Sequence, residues 1–202
     1  MAESSITDVS LFKFSRWHSG FFYFTGKKNS ELLFIKLCCG KWNTVPQEAY
    51  LGRYEDFCEH PPVVSSRCGR FNWIATKFIP AVPLDRIPPG TDVSALIRQM
   101  AVVLDKLASS GIVHRDLRPE NICIAGDGRL IVIDFGWAIY KELGWKKTPY
   151  DFIEKILNQE YRNAEGQFDD ALSAYLSFKA VFPSLSEADL RPISDRIGRL
   201  VV

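Results

Sequence analysis

The sequence predicts an α+β protein in two lobes, a small antiparallel β lobe followed by a reduced, mainly helical lobe. Residues 11–39 contain three short strand patterns joined by short connections, which favours antiparallel pairing. A Pro-rich stretch covers residues 80–90, where regular helix or central strand is disfavoured. From Thr91 onward apolar residues recur at helical intervals. We therefore divide the chain into a β-rich lobe with one helix at 1–79, a hinge at 80–90 and a helical lobe at 91–202.

The strands predicted for the first lobe are LFKFSRW, GFFYFTG and ELLFIKLCC, with GKKNS as the turn before the last. They alternate or run apolar, as half-buried and buried strands do. The stretch Gln47 to Cys58 has Ala49, Tyr50, Tyr54 and Phe57 at helical intervals and predicts a helix. RFNWIATKFIP, residues 70–80, predicts a further strand.

The second lobe opens with a helix over 91–110, capped by Thr91 or Asp92 and ended by Gly111. NICIA and RLIVID follow as strands joined by an Asp-Gly turn. Residues 151–157 and 169–181 predict two more helices.

Composition excludes several functional classes. The formal net charge is +1, which predicts no nucleic-acid partner. No apolar run approaches the roughly 20 residues of a membrane span, so we expect no stable membrane insertion. The five cysteines contain no C-x-x-C pair and suggest a reducing compartment. We expect a cytoplasmic protein, with secretion as an effector left open.

Polar residues concentrate in one central segment. Asp116, Asn121 and Asp134 are oxygen donors, which suit Mg²⁺. Three such ligands hold the ion weakly, so a phosphorylated ligand would have to complete the site. Lys36 stands alone in an apolar strand; it either meets an anion or lies on a solvent-exposed face.

HRDLRPEN (residues 114–121, the catalytic loop below) is followed thirteen residues after Asn121 by DFG at 134–136. These motifs resemble the catalytic loop and metal-binding motif of the protein-kinase superfamily in order, spacing and intervening hairpin. The resemblance covers roughly residues 10–180 and is tightest from Val102 to Ala138. It implies a two-lobed protein-kinase-like fold.

The resemblance implies a role for each motif residue. Asp116 would orient an acceptor hydroxyl and take its proton. Arg118, where Ser/Thr kinases usually carry Lys, would keep a cation near the transferring phosphoryl group. Asn121 and Asp134 would hold Mg²⁺. Asp169 or Asp170 would be the buried aspartate of the lobe's central helix, while His114 and Arg115 would brace the loop.

The resemblance also implies nucleotide contacts. Lys36 would pair with the α- and β-phosphates of ATP, with Glu48 as its ion-pair partner and Glu55 as the alternative. The linker at Lys77, Phe78 and Ile79 would meet adenine. Gly20 stands alone where kinases carry G-x-G-x-x-G, and its backbone would have to help cover the phosphates.

The second departure from the family pattern is the length of the helical lobe. Only 66 residues follow Gly136, and they contain no A-P-E. The chain therefore resembles small bacterial kinases, those that phosphorylate lipopolysaccharide or O-antigen sugars and effector protein kinases. These observations predict an ATP- and Mg²⁺-dependent phosphotransferase acting on a protein Ser/Thr or a glycan hydroxyl. The alternative is a pseudokinase that binds nucleotide or partner proteins, favoured by the missing Gly-rich loop.

Overall fold

The computed structural model describes residues 6–15, 21–39, 44–53, 60–68, 72–144 and 167–199. The chain forms two compact units, Met1–Ile79 and Pro80–Val202. Strands and helices together give the α+β class that the sequence predicts, with a kinase-like arrangement. Among the described residues, no helix is both long enough and apolar enough to cross a bilayer.

The first unit is an antiparallel five-stranded sheet with one short helix. Its strands run in the order β1-β2-β3-β5-β4, so β3 is central and lies between β2 and β5. Apolar side chains on β3 and β5, including Leu33, Ile35 and Ala75, form one buried cluster. The bounds are β1 Thr7–Ser15, β2 Phe21–Lys28, β3 Glu31–Cys38, α1 Val45–Tyr50, β4 Val63–Arg67 and β5 Asn72–Lys77.

Two elements of this unit differ from the sequence prediction. Helix α1 begins at Val45, ends at Tyr50 and continues as a 3₁₀ turn over Leu51–Arg53; residues 54–58 of the predicted helix lie outside the described residues. Strand β4 was not predicted. It is an edge strand with two serines and no fully buried residue, so it lacks the apolar alternation that identifies a strand.

The described part of the second unit contains three α-helices and two small sheets; the helix predicted over residues 151–157 lies outside it. One sheet has the order β6-β8-β9 and the other pairs β7 with β10. The bounds are β6 Ala81–Pro83, α2 Val93–Ser110, β7 Ile112–Val113, β8 Ile122–Ala125, β9 Leu130–Val132, β10 Ile139–Tyr140, α3 Asp170–Val181 and α4 Glu187–Ser194.

Helix α2 has clear start and stop signals. The Asp92 side chain accepts from the amide of Ala95 at 2.9 Å, and Gly111 ends the helix in the left-handed conformation, φ 62°. Leu96, Met100 and Leu107 are among its fully buried side chains. The predicted helix over 91–110 is thus correct to within two residues.

The Pro-rich stretch has more regular structure than a hinge suggests. Residues 81–83 form β6, which pairs with β8, and Leu84–Arg86 make a 3₁₀ turn. Because β6 is an edge strand, Pro83 costs no central ladder bond. Helix α4 was also missed. Pro192 lies inside it, and a Ser186–Asp189 capping box starts it.

Candidate active site

The catalytic loop lies between the short strand β7 and the strand β8. Its backbone turns sharply, with Arg115 in the left-handed region at φ 70°. His114, Arg115 and Asp116 are all buried, the first fully. A charged loop buried to this degree needs polar partners inside the protein.

Asp116 and Asn121 are joined directly. The Asn121 side-chain amide donates to Oδ2 of Asp116 at 2.8 Å and to its backbone carbonyl at 2.9 Å. The amide nitrogen of Asn121 is thus committed to the loop, which leaves its Oδ1 as the atom of the right chemistry for a metal. Both residues are buried, Asp116 at 3% exposure and Asn121 at 5%, so the bond fixes the direction of the carboxylate.

Arg118 lies beside the same carboxylate. Its Nε is 3.7 Å from Oδ1 of Asp116 and 3.8 Å from the Glu120 carboxylate. The side chain is partly exposed at 42%, although its Nε atom is buried. Glu120 was not singled out from the sequence, because its partner is only two residues away and a charged loop has many such neighbours.

Asp134 follows β9 with its backbone in the left-handed region, φ 63°. A non-glycine residue in that region carries strain that its surroundings must hold. The amide of Ile133, the residue before it, donates to the carbonyl of Asn121 at 3.0 Å. This bond ties the two predicted metal ligands to the same hairpin.

These two residues fit a magnesium ion. Asn121 and Asp134 present an amide and a carboxylate oxygen, the hard donors that Mg²⁺ prefers. Among the described residues, no group of three or more His, Cys, Asp or Glu side chains gathers for a metal. Mg²⁺ is usually held by one or two carboxylates together with phosphate oxygens.

His114 is a neutral, structural imidazole. Its Nδ1 accepts from the amide of Asp116 at 3.2 Å and its Nε2 lies 3.0 Å from the carbonyl of Ile133, so the proton sits on Nε2. Burial lowers the pKa of His114 to about 4. The ring meets Phe135 edge-on, centroids 4.3 Å apart. His114 therefore links the catalytic loop to the DFG segment.

Asp170 is the buried aspartate that holds the loop. Its two oxygens accept from the backbone amides of His114 at 2.7 Å and Arg115 at 3.0 Å. Burial raises the pKa of Asp170 to about 7, although those two hydrogen bonds lower it. Of the two candidates at the start of α3, Asp170 has this role; Asp169 instead caps the helix.

Two further contacts of the loop were not predicted. Ser177 on α3 donates to the carbonyl of Leu117 at 3.0 Å. The Arg115 guanidinium carbon lies 4.5 Å from the centre of the Phe168 ring, a cation–π contact. Both partners are more than fifty residues away in the chain, so no local pattern could reveal them.

In the first unit, Lys36 and Glu48 form a buried ion pair. Nζ of Lys36 donates to Oε2 of Glu48 at 2.9 Å, and both side chains are less than a tenth exposed. The Lys36 ammonium also lies 5.1 Å from the centre of the Phe21 ring. The alternative of a solvent-exposed face for Lys36 is wrong, because α1, which carries Glu48, packs against β3 and β5 and the Lys36 side chain is buried. Glu55, the other candidate partner, lies outside the described residues.

Two backbone amides in the stretch predicted to contact adenine already donate to other carbonyls. The amide of Lys77 donates to Pro62 and that of Phe78 to Leu32, both at 2.9 Å. The amides of Lys77 and Phe78 are therefore already bonded within the first unit. Gly20 lies outside the described residues.

The comparisons with known proteins agree with this geometry. A family model described as the ABC1 atypical kinase-like domain matches residues 61–167, just over half of the chain and all of the catalytic loop and DFG segment. The chain belongs to the ABC1 atypical kinase-like family. Its place in the protein-kinase-like superfamily is thereby confirmed.

Curated relatives of this family member include several kinases. Cyclin-dependent kinase 4 of Mus musculus is 34% identical over 181 residues, 77% of this chain and 59% of the relative. An Aurora kinase of Encephalitozoon cuniculi is 39% identical over 49 residues, 24% of this chain and 18% of the relative. Sperm motility kinase 2A of Mus musculus is 37% identical over 73 residues, 33% of this chain and 14% of the relative. The chain spans less than two thirds of the length of each.

Proposed function

We propose that the protein is an ATP- and Mg²⁺-dependent phosphotransferase that moves the γ-phosphoryl group to a hydroxyl. The observation that carries the proposal is the bonded unit of Asp116, Asn121 and Asp134. The first two are joined side chain to side chain, and the last is tied to Asn121 through the Ile133 amide. A pseudokinase would have no need to keep all three polar side chains in this arrangement.

Asp116 is the residue that handles the acceptor. Its Oδ2 is held by Asn121, so we assign to Oδ1 the hydrogen bond from the acceptor hydroxyl. Oδ1 takes the hydroxyl proton as the oxygen bonds to the γ-phosphorus and the bond to the β-phosphate oxygen breaks. Orientation is the larger contribution, since phosphoryl transfer needs little covalent help from the protein.

Arg118 and the metal ligands offset the negative charge of the phosphates. Arg118 keeps its guanidinium beside Asp116 and offsets negative charge on the transferring group. Asn121 Oδ1 and the Asp134 carboxylate would hold Mg²⁺, which when bound neutralises phosphate charge. The left-handed backbone at Asp134 sets the point at which its side chain leaves the hairpin.

In the first unit, Lys36 is assigned to the α- and β-phosphates. Its ammonium is buried against Glu48, which fixes its position and keeps it charged. A buried ion pair that served only folding would be costly, and two apolar residues could replace it together. The kept ion pair therefore supports a nucleotide role.

The acceptor proposed first is a protein Ser or Thr. One relative, 39% identical over 80 residues (36% of this chain, 6% of the relative), is a PAS domain-containing serine/threonine-protein kinase of Mus musculus. A glycan hydroxyl, the alternative acceptor that the sequence allows, is included in the same test. Both acceptors use the same proton transfer at Asp116.

The test separates nucleotide binding from transfer. The protein is incubated with γ-labelled ATP and Mg²⁺, alone and with protein and glycan mixtures, and labelled products are identified by mass spectrometry. Nucleotide binding is followed by a thermal-shift titration with and without Mg²⁺. Asp116→Asn should keep Mg²⁺-dependent binding and lose transfer by about 10² to 10⁴. Asp134→Asn should lose the Mg²⁺-dependent part of binding.

Asp127→Asn is the matched control. Asp127 is an exposed aspartate in the turn of the same β8–β9 hairpin and pairs with Arg129, so its loss should leave both readouts unchanged. Binding of ATP with no labelled product from any acceptor would support the pseudokinase alternative. Unchanged Mg²⁺-dependent binding in Asp134→Asn would refute the metal assignment.

A further inference from the structure

The turn after α4, residues 195–199 (the C-terminal turn below), is bonded to two other helices of its unit. Arg196 donates from Nε to Oδ1 of Asp105 on α2 at 2.8 Å and from Nη2 to Oδ2. Arg199 Nη1 adds a contact to Oδ1 of Asp105 at 3.3 Å. A bidentate guanidinium–carboxylate pair has a defined geometry. The C-terminal turn is therefore held in place on α2.

The other end of the C-terminal turn reaches the start of α3 through Asp169. Oδ1 of Asp169 accepts from the amides of Ala171 and Leu172 and caps the helix. Oδ2 accepts from the amide of Gly198 at 2.6 Å. Oδ1 thus caps α3, whereas Oδ2 binds the C-terminal turn. Gly198 has φ 82°, a conformation that glycine adopts without strain.

The residue next to Asp169 is Asp170, which holds the amides of His114 and Arg115. Asp170 also lines a cavity of about 60 Å³ together with Leu107 and Ile112. Its position is set by its hydrogen bonds to the loop amides and by the first turn of α3. A shift of that turn would move Asp170 and with it the catalytic loop.

We propose that the C-terminal turn positions the catalytic loop through Asp169, with Asp169 and Arg196 as positioning residues for the reaction. Arg196 holds the C-terminal turn on α2, and the amide of Gly198 binds Asp169. Asp169 in turn fixes the first turn of α3, which carries Asp170 and so positions the catalytic loop. Neither residue touches substrate. The kinetic part of this inference rests on the proposed phosphotransfer, whereas the structural part does not.

The chemistry of Asp169 allows a selective variant. Asp169→Asn retains an oxygen at Oδ1 to cap α3, since Asn is as good a cap as Asp. It places an amide group where Oδ2 accepts from Gly198, and an amide nitrogen cannot accept that bond. Arg196→Gln releases the turn at its other end without touching α3. Asp189→Asn is the control, because the Asp189 carboxylate accepts the same kind of backbone bond, from the amide of Ser186 at the start of α4.

The experiment measures hydrogen exchange at the amides of His114 and Arg115, and kcat and KM for ATP, in all four proteins. Asp169→Asn and Arg196→Gln should each raise exchange at both amides by about tenfold. They should lower kcat by about tenfold with KM for ATP within twofold. The Asp189→Asn control should leave exchange at these amides and kcat at the parent values.

Unchanged exchange in both Asp169→Asn and Arg196→Gln would overturn the inference, whatever the activity. An equal rise in Asp189→Asn would overturn it too, since general loss of stability would then explain the effect. If Asp169→Asn does not fold, Arg196→Gln alone decides by the same criterion. Raised exchange in a protein whose parent transfers no phosphate would support the C-terminal turn's role and refute the proposed function instead.

Discussion

Replacing His114 with Phe should change how the stability of the protein depends on pH. The imidazole is fully buried and neutral, with both nitrogens bonded, to the Asp116 amide and the Ile133 carbonyl. Its pKa is about 4 in the folded protein and about 6.5 in an unfolded chain. As pH falls below about 6.5, the unfolded chain takes up a proton that the folded protein refuses. His114 therefore destabilises the fold progressively between about pH 6.5 and 4.

The size of this effect follows from the two pKa values. The penalty in free energy of unfolding is near zero at pH 7.5, about 1.4 kcal/mol at pH 5.5 and about 2.5 kcal/mol at pH 4.5. His114→Phe keeps the ring contact with Phe135 but loses two hydrogen bonds, about 2 kcal/mol together. The variant should thus be about 2 kcal/mol less stable at pH 7.5 and about equal to the parent at pH 4.5.

Urea unfolding of both proteins at pH 4.5, 5.5, 6.5 and 7.5 measures the difference. Asp170, whose pKa is raised to about 7, acts with the opposite sign, since its folded form binds the proton that the unfolded form has released. It is present in both proteins and cancels in the difference. A stability difference that stays constant within about 0.5 kcal/mol across this range would refute the neutral assignment of His114.

Two further predictions concern stability. Lys36→Met should destabilise the fold by about 3 to 5 kcal/mol, because it removes the ammonium from a buried carboxylate. Adding Glu48→Leu to this variant should recover most of the loss. A double-mutant cycle by urea unfolding checks this, and additive costs of the two substitutions would contradict it. Gly111→Ala should cost about 2 kcal/mol, because its φ is 62° and a Cβ would lie 2.7 Å from Cβ of Lys141. The control is Gly128→Ala, where φ is 82° and nothing lies within 4 Å, and equal costs for the two would disprove the steric part.

Local patterns were enough to predict most elements and the motif. The β2–β3 hairpin, α2, and the pair β8 and β9 follow from periodicity and from turn and cap residues, which depend on neighbours a few positions away. The catalytic loop and the DFG segment could be found because their residues are close in the chain. Edge strand β4 and helix α4 were missed, since the first buries little apolar surface and the second contains a proline.

Only the tertiary structure decided which polar residues meet. The sequence offered two adjacent aspartates as the one that holds the loop, and the orientation of the first turn of α3 selects Asp170, whose partners are 55 and 56 residues away. It left Lys36 either exposed or paired, and the packing of α1 against β3 and β5 buries it against Glu48. Strand and helix patterns along the sequence thus determined the fold class, and the order and spacing of the motifs determined the family of chemistry. Which carboxylate accepts from which amide depends on long-range packing. A hydrogen bond forms only if the donor–acceptor distance is right to within a few tenths of an ångström, and spacing along the chain does not specify distances that closely.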